Sequence, residues 1–283
     1  MKIFFSKECL SYEAAGHPES PGRVRSTYDY LAKKGYEFIE PKPASEKDVL
    51  LVHAQELHDE VKTGSFFDPD TPNLPGIYVC ALRAAGAAKD AALWSIAHNE
   101  HTFSLMRPPG HHACRASLGG FCYFNNIAIA VAHAQKNVKK IAILDLDCHH
   151  GNGTEDIFFG AGNIIYISLH QSPLFPGTGT MSRKNCHNFP LEQGTDEAAY
   201  LGVLEKALAV IKGFEPGLIA LSMGFDTYCD DPLTDIRLEK GSYQKIAEKV
   251  AALGKPVFGV LEGGYDIAGL PECVDKFLTG LGT

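Results

Sequence analysis

A chain of 283 residues with 45% hydrophobic and 21% charged residues is long enough to bury a large core and has the balance of a globular protein. The net charge of -8 supplies no phosphate-neutralising face, so no nucleic-acid partner is expected. No run approaches the ~18 apolar residues of a membrane span, so no membrane role is expected either.

The first strand is expected at residues 2–5, in an apolar stretch too short for a signal peptide. A Pro/Gly-bearing loop follows at 11–22 and another at 64–76. An Ala- and Leu-rich helix is expected over 79–98, with its alanines and Trp94 in the core. A strand at 102–106 precedes a helix at 126–135, which an Asn pair can cap. Strands at 141–144 and 164–169 come next, then a loop over 171–194. A helix over 197–212 follows Thr195-Asp196, a strand lies at 218–223, and a helix over 242–253 starts at a capping Ser242 and stops at Gly254. The last strand is expected at 256–261. Most strands are apolar on successive residues, as expected for a parallel sheet covered on both faces. The alternation argues for one α/β domain spanning residues 1–283 on a mostly parallel sheet. Eight scattered cysteines without a C-x-x-C pair suit buried thiols in a reducing cytoplasm.

Four strands run directly into polar groups. Residues 102–106 lead to Arg107-Pro108-Pro109-Gly110-His111-His112, and 141–144 lead to Asp145-Leu146-Asp147-Cys148-His149-His150. Residues 218–223 lead to Gly224-Phe225-Asp226, and 256–261 to Glu262-Gly263-Gly264-Tyr265. Ligands bind outside the carboxyl ends of strands in such sheets, so these groups should share one edge. Asp147 and His149, one residue apart, point the same way in an extended segment. With Asp226 they offer two carboxylates and one imidazole. Three protein ligands with an open position is the catalytic arrangement for zinc, which can acidify water and polarise a carbonyl. Oxygen-rich ligands do not enforce zinc, so Fe²⁺ in cells stays open.

These segments, with His17-Pro18-Glu19-Ser20-Pro21-Gly22-Arg23-Val24, Gly119-Gly120-Phe121-Cys122-Tyr123-Phe124-Asn125-Asn126, Ser168-Leu169-His170 and Phe175-Pro176-Gly177-Thr178-Gly179, resemble the histone deacetylase / acetylpolyamine amidohydrolase superfamily. The likeness covers almost the whole chain and is to class II-like bacterial deacetylases. It implies an arginase/deacetylase-like three-layer fold with helices on both faces of the sheet. It also implies Zn²⁺ on Asp147, His149 and Asp226, His112 as general base and later acid, and His111 as an electrostatic partner held by Asp145. Tyr265 would stabilise the oxyanion. Gly120, Phe121, Phe175 and Leu233 would surround a narrow substrate tunnel. A structural K⁺ would use backbone carbonyls of Asp145, Asp147, His149 and Leu169 and the side chains of Asp145 and Ser168. Many relatives carry an aspartate where Asn152 stands; a neutral amide there leaves His112 neutral and able to accept a proton.

His150 and Cys148 should turn away from the ligands as structural groups, and His17 and His53 read as packing or loop-capping residues. The implied substrate is an acylated lysine side chain or, alternatively, an N-acetylpolyamine, for which a rim carboxylate such as Asp68 or Asp70 would hold the second cation. Asp231-Pro232 is followed by Leu233, not by the glutamate of one polyamine-specific branch, and the chain is short beside polyamine enzymes. A non-catalytic acyl-lysine binder and a ureohydrolase-like two-manganese enzyme are the rivals. Oligomeric state is left open.

Overall fold

The computed structural model describes residues 1–282. Eight strands form one parallel sheet: β1 (Lys2–Phe4), β2 (Phe38–Ile39), β3 (Thr102–Ser104), β4 (Ile141–Asp145), β5 (Ile164–Gln171), β6 (Cys186–Leu191), β7 (Leu218–Met223) and β8 (Val257–Leu261). Their order is β2-β1-β3-β8-β7-β4-β5-β6. The four strands expected to deliver polar groups, β3, β8, β7 and β4, are therefore consecutive in the middle of the sheet. Their residues are almost wholly buried, which accounts for the unbroken apolar runs.

The helices are α1 (Pro21–Lys33), α2 (Glu46–Val49), α3 (Gln55–Thr63), α4 (Ile77–His98), α5 (Asn126–Ala134), α6 (Asn152–Phe158), α7 (Glu197–Phe214), α8 (Lys240–Ala251) and α9 (Leu270–Leu281), with a short 3-10 turn at Lys7–Leu10. One layer joins α4 to α5, with α4 lying on β1, β3 and β8. Most alanines of α4 form its contact surface: Ala84, Ala85, Ala87, Ala88, Ala91 and Ala92 are buried, whereas Ala97 in the last turn is exposed. Another layer packs α9 against α1 and α8, with α7 beside α8 and β5.

Several boundaries differ from expectation for local reasons. The 11–22 loop stops earlier, because Pro21 occupies the first turn of α1, where its missing N–H costs nothing. The 171–194 loop contains a strand: β5 continues to Gln171 and β6 pairs alongside it, from Tyr166↔Cys186 to Gln171↔Leu191. Pro190 within β6 is tolerated because this is an edge strand. Helix α8 starts at Lys240 rather than 242. Glu239 is the cap, and Ser242 is the third helical residue of a reciprocal capping box. Asn125 caps α5 and Asp196 caps α7, each accepting a hydrogen bond from a first-turn amide. Trp94 is only partly buried, its indole N–H reaching Glu100.

Candidate active site

Strand register sets the site. Asp145 at the end of β4 stands level with Ser168 on β5 and Ser222 on β7, and Met223 stands level with Leu261 on β8. The segments after these strands therefore open at one edge of the sheet. There Asp147, His149 and Asp226 bring one ligand atom each to within 4.8 Å of one another. His149 Nδ1 lies 3.1 Å from an Asp147 oxygen and 2.9 Å from an Asp226 oxygen. The Asp226 carboxylate also accepts a hydrogen bond from the Cys148 amide, and Asp147 accepts one from the Gly263 amide at 2.7 Å. Glycine is required at 263, since a Cβ would collide with both metal-site carboxylates.

The electrostatics fit a divalent cation. Burial and the neighbouring Asp147 push Asp226 up to about 7. Burial would depress His149, yet the two aspartates push it up to about 10. Two buried carboxylates this close repel one another, and a cation between them would balance that charge. Among the described residues no other group of three or more acidic, histidine or cysteine side chains has this spacing.

The paired histidines, 4.0 Å apart between ring centres, have opposite environments. His111 Nδ1 lies 3.2 Å from an Asp145 oxygen and its Nε2 3.8 Å from Asp147. Against the penalty of burial, Asp147, Asp145 and Glu262 push it up to about 10, so it is cationic at neutral pH. His112 is held well below its usual value by burial and by the positive charges of His111 and His149. Its Nδ1 lies 2.8 Å from the Asn152 carbonyl oxygen. A carbonyl only accepts, so Nδ1 carries the proton and Nε2 keeps a free lone pair. Such a tautomer is a general base.

A cavity of about 270 Å³ is lined by Asp70, His112, Gly120, Phe121, His149, Leu174, Phe175, Leu233 and Tyr265. The geometry thus brings His112, His149, Tyr265 and the four expected tunnel residues to one space. The Phe175 ring packs edge-on to His112, and Phe121 edge-on to Tyr265. His150, in contrast, is buried between Thr178 at 2.7 Å and Glu155 at 3.0 Å, and Cys148 is fully buried. His53 accepts the Asn125 amide, and His17 accepts the Glu19 amide while its Nε2 lies 3.1 Å from the Asp70 carbonyl. All four follow their structural readings.

Sequence reasoning assigned no role to the buried charges around this floor. Glu262 is fully buried and accepts hydrogen bonds from the Gly110 and His111 amides and from Ser222, fixing the paired-histidine turn. Burial pushes its carboxyl up to about 7, opposed by His111. Glu19 lies between Arg107 and Arg23 with both guanidinium groups fully buried. Removing one partner of such a network costs about 3–5 kcal/mol. Arg23 donates to the Gly264 and Glu262 carbonyls and stacks 4.7 Å from the Tyr265 ring centre. The one signal was their position inside the Pro/Gly-bracketed motifs; which charges pair across 88 residues of chain is not visible there.

Residues 17–281 match the histone deacetylase domain model, and the chain belongs to this family. It is 38% identical to a probable deacetylase of Archaeoglobus fulgidus, across 94% of this chain and 82% of that protein. It is also 38% identical to the acetylpolyamine amidohydrolase of Mycoplana ramosa, across 72% of this chain and 62% of that one. Among solved structures, the HD domain of HDA15 superposes with a TM-score of 0.95 at 30% identity, covering 100% of this chain and 91% of the other. The deacetylase-like α/β fold and a hydrolase of the deacetylase class follow. No described helix is long and apolar enough to cross a membrane.

Proposed function

We propose that this chain is a zinc-dependent deacetylase that removes an acetyl or acyl group from lysine side chains or related long-chain amines. In this reading it is a single catalytic domain over residues 1–283 working in the cytoplasm. The observation that carries it is the convergence of His112, its Nδ1 engaged by the Asn152 carbonyl, and Tyr265 on the cavity that His149 also lines. Zn²⁺, or Fe²⁺ in cells, held by Asp147, His149 and Asp226 would polarise the acyl carbonyl and lower the pKa of water.

His112 Nε2 accepts the proton of the attacking water and later returns it to the leaving amine. Asn152 keeps the opposite nitrogen protonated, and Asp145 holds His111 as a fixed positive charge behind the pair. Tyr265 donates its hydroxyl to the developing oxyanion. Phe121, Phe175, Gly120 and Leu233 sheath the alkyl chain and exclude water. A structural K⁺ on the carbonyls of Asp145, Asp147, His149 and Leu169 and the side chains of Asp145 and Ser168 would stiffen the β4–β5 ends; the Asp145↔Ser168 register supports this assignment.

Asp70 in the cavity wall favours a second reading, deacetylation of N-acetylpolyamines, since a carboxylate there would meet a distal ammonium. The relatives named acetylpolyamine amidohydrolase support it as well. Acetate release from acetyl-lysine peptides and from acetylated putrescine, cadaverine and spermidine, measured in parallel on metal-loaded protein, separates the two. One metal ion per chain is expected; two would favour the ureohydrolase-like alternative. Tight peptide binding without turnover would instead make the chain an acyl-lysine binder.

A further inference from the structure

We propose that Asp231 is a positioning residue that sets the oxyanion donor Tyr265 and the Leu233 tunnel wall in one frame. This inference rests on the deacetylase reading of the same site. Asp231 is buried, with 6% of its surface exposed, and is not among the residues lining the cavity. Its two carboxylate oxygens are both spent on backbone amides. Oδ2 accepts from the Tyr265 N–H at 2.6 Å, and Oδ1 accepts from the Leu233 N–H at 3.0 Å.

The Tyr265 segment needs such an anchor. It follows Gly263 and Gly264, the latter at φ +115, and glycine has the widest choice of backbone conformations, so contacts from outside the segment must select this one. Arg23 grips the carbonyls of Glu262 and Gly264 and covers one face of the ring. Asp231 holds the amide of Tyr265 itself from 34 residues away. Asp231 in turn is placed by the turn that follows Asp226: its amide donates to the Tyr228 carbonyl at 3.0 Å, and Thr234 donates its hydroxyl to the Asp226 carbonyl. One short loop therefore carries a metal-site carboxylate, a tunnel-wall residue and the tether of the oxyanion donor. The distance from donor to reacting carbonyl is thereby fixed by a carboxylate outside the cavity.

The test is a double-mutant cycle. Asp231→Asn puts an amide N–H against one of the two backbone N–H groups and should lower kcat about 10–100-fold, the cost of a misplacement near 1 Å. In a Tyr265→Phe background the same change should lower kcat by less than about 2-fold, because the group it positions is already gone. A modest rise in KM should persist in both backgrounds through Leu233. Equal kcat losses in the two backgrounds, or wild-type kcat in Asp231→Asn, would overturn the proposal. If Asp231→Asn does not fold, Asp231→Ser, which keeps an acceptor for one amide, goes through the same cycle. A crystal structure of whichever variant folds gives a readout independent of turnover: an unmoved Tyr265 hydroxyl rejects the proposal. Absence of acetate release by the wild-type protein would count against the deacetylase reading, whereas additive losses in an active enzyme count against Asp231 alone.

Discussion

The floor of the site and its mouth are built on different principles. At the floor, Asp145, Asp147, Asp226 and His111 are nearly or fully buried, and each is held by at least one hydrogen bond to a neighbouring strand end or turn. At the mouth, Phe175 is 49% exposed and Leu233 36%, both on loops. Buried charge magnifies every electrostatic effect and tolerates no misplacement, and these groups sit at or just beyond the ends of the central strands. Exposed loops tolerate change at little cost in stability, so they are where substrate preference is tuned.

The sharpest way to break this comparison is at the floor. Asp226→Ala should release the bound metal and reduce acetate formation to background, checked by metal analysis of the purified variant beside the assay. Next in size, His112→Gln should lower kcat about 10²–10⁴-fold while leaving the metal content unchanged. A variant losing metal instead would mean that His112 has a ligating role.

Asn152→Asp should have a smaller and more specific effect. A carboxylate 2.8 Å from Nδ1 favours imidazolium and raises the pKa of His112. Since the base acts in its neutral form, activity is lost as pH falls through that pKa. The acidic limb of the kcat/KM profile should therefore move about 1 unit or more toward higher pH, and an unmoved limb would contradict the assigned tautomer. At the mouth the effect should be least. Asp70→Asn should raise KM for acetylated polyamines about 2–5-fold, consistent with an exposed charge, and leave acetyl-lysine peptides nearly unaffected. An equal change for both substrates would remove Asp70 from the specificity argument.

Much of the floor was legible in the chain itself. The Asp-x-Asp-x-His run, the paired histidines and Gly224-Phe225-Asp226 lie directly after apolar runs, and strand alternation separates His149 from His150 and Cys148. Helix caps were legible where the capping residue precedes an apolar stretch, as at Asp196. Legibility failed where local signals compete: Ser242 resembles a cap, yet Glu239 three residues earlier takes that place in a reciprocal box. It failed for β6 because a six-residue edge strand with Pro190 inside a Gly-rich stretch has the pattern of a loop.

The sequence by itself determined the kinds of groups and their strand-end placement, because period-two alternation and apolar runs are properties of neighbouring residues. Only the tertiary structure decided that β3, β8, β7 and β4 lie side by side, and that Glu262 fixes the paired-histidine turn. It alone placed Arg23 and Asp231 around Tyr265. Those outcomes depend on distances between residues far apart in the chain, and on burial, which sets how strongly each charge acts on the next.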